Sequence, residues 1–160
     1  MTAAHTMDDS LWPLGIIRIE GVKSDLEFGE ILDQMQGHLE SGDEFVCIFD
    51  MSQCGIPPVS QLRRYAQWLR SRDALLRAQV LGVATIITSA PVRLAKSFLN
   101  HLHPLPMPYT TVADMDGALR FVLGRLEEAG MRSEAERIRQ QFALRCLQAV
   151  CVPVTGPRSL

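Results

Sequence analysis

Phe45-Val46-Cys47-Ile48-Phe49-Asp50 decides the fold. Five apolar residues in unbroken succession, with no polar alternation, are the pattern of a strand covered on both faces. Asp50 closes it. The segment Met51 to Val59 then carries Gly55, Pro57 and Pro58, through which neither helix nor strand is expected to continue, so it reads as a loop. Ser60 reads as the cap of a long second helix reaching about Gln79, with Leu62, Tyr65, Ala66, Leu69, Leu76 and Val80 on one helical stripe. Arg63, Arg70 and Arg77 are spaced by seven and line one edge of that helix.

The same alternation extends in both directions. Upstream, Leu14 to Glu20 is a β-branched run expected to be a strand, followed by a turn at Gly21. Ser24 and Glu27 form a capping box at the start of a first helix, which should bury Leu26, Ile31, Leu32, Met35 and Leu39 and stop near Gly42. Downstream, Leu81 to Thr88 is a third apolar strand. Ser89 and Pro91 suit the start of a third helix covering Val92, Leu94, Ala95, Phe98, Leu99 and Leu102. Three prolines precede a short strand at Tyr109 to Val112, and Asp114 caps a fourth helix with Leu119, Val122, Leu123 and Leu126 inward, ended by Gly130. Four successive strand–helix units predict an α/β domain with a mostly parallel or mixed sheet.

The expected boundaries are a flexible tail at 1–11, the α/β domain at 12–130, a helical extension at 131–152 and a disordered tail at 153–160. In the extension Ile138, Phe142 and Cys146 recur every four residues. That helix either docks back on the domain or forms a homodimer contact.

Composition bounds the class. With 160 residues, 47% hydrophobic and 21% charged, the chain is one ordinary globular domain. No apolar run is long enough to cross a bilayer, and residues 1–10 carry Asp8 and Asp9 rather than a basic, then apolar, leader. A cytoplasmic protein without membrane insertion is expected. Cys47 lies within a strand, and Cys54, Cys146 and Cys151 show no metal-binding spacing. The net charge of −2 is unevenly spread: residues 1–50 hold eleven acids against Arg18 and Lys23, whereas 51–112 hold seven bases against Asp73. Acidic and basic faces lying side by side would explain this, as would a basic surface for an acidic partner. Nucleic acid is not expected, because aromatic residues are not interleaved with the bases.

Ile48-Phe49-Asp50, Tyr65-Ala66-Gln67-Trp68-Leu69 and Gly82-Val83-Ala84, set in this order of elements, resemble the STAS domain of bacterial anti-anti-sigma factors, over residues 12–130. The resemblance implies a phosphorylated hydroxyl at the start of the second helix, ten residues beyond the strand-ending Asp50, which here is Ser60. The family's usual Asp-Ser-Ser-Gly at that corner is replaced by Pro58-Val59-Ser60-Gln61.

Two functions follow. The first is a non-enzymatic regulatory or scaffolding module that binds a protein, such as a kinase or another signalling protein. Its surface would be Ser52, Gln61, Arg63, Arg64, Trp68, Arg70 and Arg77, gated at Ser60, with Arg64 and Trp68 spaced for a cation–π contact. The second is a binding protein or enzyme for a small molecule, a nucleotide or lipid, with a pocket at the carboxyl ends of the strands. Asp50, Ser52, Thr88 and Ser89 would supply its polar lining. No catalytic motif, cofactor fingerprint or metal-ligand spacing is evident, so no cofactor is expected; His101 and His103, two apart on a helix, diverge.

Overall fold

The computed structural model describes residues 5–150 and the side chains of 7–148. The tail expected at 153–160, and Cys151, lie outside them. The elements are β1 (His5–Leu11), β2 (Leu14–Gly21), α1 (Asp25–Glu40), β3 (Phe45–Cys54), α2 (Val59–Ser71), α3 (Asp73–Gln79), β4 (Val80–Ile86), α4 (Ala90–Leu102), β5 (Tyr109–Val112), α5 (Met115–Glu128) and α6 (Arg132–Val150). This is the expected α/β class. The five strands form one mixed sheet in the order β1-β2-β3-β4-β5, with β1 antiparallel to β2 and every other pair parallel.

That order decides the layering. Parallel strands that follow one another in chain order, joined by right-handed crossovers, carry all their connecting helices over one face. The crossovers α1, α2–α3 and α4 therefore share a face, and α5 with α6 covers the other. Side-chain parity divides the strands accordingly. Leu14, Ile16, Val46, Ile48, Ala84 and Ile86 pack with Ala118, Val122, Leu123 and Leu126 of α5 and with Ala135 and Ile138 of α6. Phe45, Val80 and Val83 face Leu32, Leu39, Trp68, Leu69 and Leu76 instead. Gly82 lets α5 approach closely, since a Cβ there would stand 2.7 Å from Arg125 Cγ. Arg125 donates to the Leu81 carbonyl at 3.0 Å.

Several local expectations hold. Ser24 accepts from the Glu27 amide and Glu27 accepts from the Ser24 amide, completing the capping box. Asp114 caps α5 through the Gly117 amide at 2.8 Å. Gly42 and Gly130 follow their helices with φ of 79° and 84°, a left-handed conformation that suits glycine.

Others are corrected. Within the expected tail 1–11, residues 5–11 form β1, so the sheet begins before residue 12. Its polar sequence shows no strand alternation, and pairing with the open edge of β2 makes it a strand. Arg145 of α6 also binds it, through Asp8 and Ser10. The loop expected from Met51 starts four residues later, because β3 continues beside β2 through Glu20↔Gln53 and Gly21↔Cys54 after a register shift. At that shift Arg18 pairs with Asp50 at 3.0 Å. The long helix expected over 60–79 is two helices, broken at Arg72 (φ −120°, ψ 15°). Pro58, not Ser60, occupies the N-cap of α2, and no side chain caps it.

The apolar stripes of α1 and α4 are narrower than expected. Leu26 is 76% exposed and Leu94 72%. The extension is integral to the domain at its start, where Ala135 and Ile138 are fully buried, whereas Leu144 and Leu147 remain exposed.

Ile48 and Cys47 are neighbours in β3 on opposite faces, and the packing on those faces differs. Ile48→Ala is expected to lower unfolding free energy by about 2–5 kcal/mol, and Cys47→Ala by a small fraction of that. Urea denaturation of both variants measures the contrast.

Candidate ligand cavity

The crossover face is not closed as tightly as the α5 face. Helix α5 lies directly against β3, β4 and β5, whereas the nearest backbone neighbours of α1, α2 and α4 are other helices. These three helices bridge over the middle of the sheet and leave a cavity of about 180 Å³.

Its floor is made of short side chains in register. Gly15 pairs with Cys47, and Cys47 with Val83. A Cβ on Gly15 would meet only Cys47 Sγ, at an ordinary 3.8 Å, so Gly15 leaves room rather than permitting a close approach. Ile17, Phe49 and Thr85 form the adjoining row. The roof is Ile31, Leu32 and Met35 of α1, Tyr65 and Leu69 of α2, and Val92, Ala95 and Leu99 of α4. At the amino ends of the strands, Trp12 lies tilted against His38 and Phe45 with ring centroids 5.2 and 5.0 Å apart, closing that end. At the carboxyl ends Gly21, Val22, Gly55 and Pro57 border the cavity. Val22, which borders the cavity there, is 59% exposed and presents an apolar edge to water.

Burial sets the chemistry of the lining. It pushes the Cys47 thiol up to about 12 and raises the Tyr65 phenol, with Cys47 adding to the effect. It lowers Lys96 to about 8. Each neutral form is favoured because the wall offers little to solvate a charge. Lys23, Gln61, Thr85 and Asn100 are further polar side chains along the wall.

The site residues expected from sequence are not brought together as one surface. Gln61 is 4% exposed, and its Nε2 donates to the Lys23 carbonyl at 2.7 Å and the Asp25 carboxylate at 3.2 Å. It ties the mouth loop to α2 rather than facing a partner. Trp68 is 8% exposed within the core, and Arg72, not Arg64, lies over its ring at 4.7 Å. Arg64 crosses to α1, donating to the Asp25 carbonyl at 3.2 Å and lying over Phe28. Arg70 leans toward the Leu102 carbonyl at 3.5 Å, and Arg77 donates to Asp73 at 2.7 Å from the separate helix α3. Arg63 and Ser60 are exposed.

Asp50, Ser52, Thr88 and Ser89 do not line the cavity. Ser52 donates from both hydroxyl and amide to Asp50. Burial pushes the Asp50 carboxyl up, but those bonds and Arg18 outweigh it and hold the group below 3.8. Thr88 donates to the Ser52 carbonyl. The polar groups that reach the wall include Lys23 and Lys96, the chain's two lysines. Lys96 and Asn100 repeat Val92 at steps of four, a polar line entering an apolar helix face. That interruption was the signal available in the sequence.

No protein-family model matches the sequence, and a comparison with curated proteins finds no match. Among solved structures the chain is similar to an uncharacterized protein of the DUF3478 family from Shewanella loihica PV-4, described as having a SpoIIAA-like fold. The identity is 17%, the alignment covers 74% of this chain and 92% of that one, and the TM-score is 0.49. The likeness is one of fold. No described helix is long and apolar enough to cross a membrane, and no group of three metal-ligating side chains occurs among the described residues.

Reactivity of the thiols reports the cavity directly. A thiol raised from 9.0 to about 12 holds roughly a thousandth of the thiolate at a given pH. Alkylation by iodoacetamide, resolved by peptide mass spectrometry, should modify exposed Cys146 first, Cys54 more slowly and Cys47 last.

Proposed function

We propose that the protein binds a small, predominantly apolar ligand of acyl-chain type between the sheet and helices α1, α2 and α4. The observation that carries this reading is the cavity itself. A void of about 180 Å³ resembles in scale the roughly 150 Å³ apolar cavity that takes up benzene. Filling such a space with hydrocarbon recovers dispersion contacts that its lining lacks. The exposed Val22, at the edge of the cavity, would offer an apolar ligand a first contact from water. Gln61 holds that edge in place through the Lys23 and Asp25 contacts. A nucleotide fits less well, since the wall has little to pair with a base or ribose. The reading is one of binding rather than of catalysis.

The test uses octanol, which is uncharged and flexible. A ligand that binds only the folded state at a hundred times its Kd stabilises by about 2.7 kcal/mol. For a domain of this size that is a rise of roughly 5–10 °C in Tm. Cys47→Phe, which fills the floor, should fold and lose this response. Octanol that leaves the Tm of the unaltered protein unchanged would count against the proposal.

A second reading has one observation in its favour. Ser60 is exposed in the first turn of α2, where neither a capping side chain nor an acidic residue satisfies the amides. A phosphate there would meet orphan N–H donors, as in the phosphorylation that the STAS resemblance implies. Partner capture from cell extract by wild type and Ser60→Asp, compared by quantitative mass spectrometry, should then differ. Identical partner sets would exclude gating at Ser60.

A further inference from the structure

A second cleft of about 410 Å³ lies on the outer side of α4, facing β5 and the residues that follow it. Its lining includes Ile87, Arg93, Lys96, Ser97, Asn100 and Thr111, of which Ile87, Lys96 and Asn100 also line the apolar cavity. The two spaces thus share a wall, and that wall changes from apolar to cationic across one helix. Arg93, Lys96 and Asn100 follow one another at steps of three and four, which sets them on one side of α4.

The cleft is charged and incompletely paired. Among the described residues neither Arg93 nor Lys96 meets a carboxylate. Lys96 Nζ donates to Thr111 Oγ1 at 2.6 Å and lies 5.4 Å from the Tyr109 ring, so two of its three donor positions have no protein acceptor. Asn100 Oδ1 is fully buried without a hydrogen-bond partner. That oxygen is an acceptor and asks for a donor, so the anion-binding character of the cleft rests on Arg93 and Lys96 alone. The surroundings favour an anion as well, because residues 51–112 carry seven bases against a single acid. Burial lowers Lys96 to about 8, and an anion beside it would restore the charged form.

We propose that this cleft takes the carboxylate of an acyl ligand whose chain occupies the apolar cavity, with Lys96 and Arg93 as its charge partners. The ligand class is accordingly a fatty acid rather than a neutral lipid. This inference rests on the apolar-ligand reading and adds the head group to it. Lys96 stands where the two spaces meet, so a ligand extending across α4 would have its charged end at the ammonium. Arg93 belongs to the outer cleft alone. It would strengthen the anion contact without touching the chain.

The experiment compares octanoate with octanol by isothermal titration on wild type, Lys96→Met and Arg93→Gln. A charge-assisted hydrogen bond contributes enough to change affinity by about tenfold or more. The expected result is that octanoate weakens at least about tenfold in each variant, while octanol binds Arg93→Gln, whose altered side chain lies outside the apolar cavity, as it binds wild type. Retained octanol binding also shows that this variant is folded. Octanoate and octanol both unaffected by the substitutions would overturn the carboxylate site and leave the cavity reading standing. Failure of both ligands to bind wild type would overturn both. Should Lys96→Met lose octanol as well, Arg93→Gln decides by the same ratio, since its side chain lies outside the apolar cavity.

Discussion

The strand order β2-β3-β4-β5, sequential and parallel, is the constraint from which the remaining features follow. With every crossover right-handed, the connecting helices have only one face to cross. Three crossovers over a short sheet must also cross its middle without colliding with one another. They make their closest approaches to each other and leave the floor of β2, β3 and β4 partly uncovered. The opposite face has no crossovers. It is free to receive α5 along its whole length, with Gly82 admitting Arg125 and with α6 completing the layer.

The same strands therefore serve two purposes by side-chain parity. Val46 and Ile48 are fully buried beneath α5, and they supply the continuous apolar packing that stabilises the domain. Cys47 and Phe49 point the other way and retain accessible surface although they lie deep in the molecule. A residue can be remote from bulk water and still incompletely packed, and that combination distinguishes a cavity wall from a core. The raised Cys47 thiol and Tyr65 phenol report an apolar surrounding at those positions.

Charge placement completes the division. Three arginines of α2 and its C-cap are spent separately: Arg64 on α1, Arg70 at the end of α4, and Arg72 on Trp68 and Gln36. On α4, by contrast, Arg93 and Lys96 meet no acid among the described residues, Lys96 pairing with Thr111 and the Tyr109 ring. A regular spacing of like charges in sequence is no guide to which of them remain available. What decides availability is whether a carbonyl, carboxylate or ring from another element comes within reach.

The sequence by itself determined the succession of strands and helices, because apolar periodicity, the Ser24 and Asp114 caps and the terminating glycines act within a few residues of where they are read. The burial of Val46, Ile48, Val122 and Leu126 was legible for the same local reason. Only the tertiary structure decided that residues 5–11 are a strand, since their pairing partner is an edge contributed by β2. It alone turned Gln61 and Trp68 inward, because the groups that satisfy them, the Lys23 carbonyl, Asp25 and Arg72, come from other elements or across a helix break. The cavity, too, is a property of assembly: it arises from how far three helices stand above a sheet, a distance set by their mutual contacts and written in no single segment.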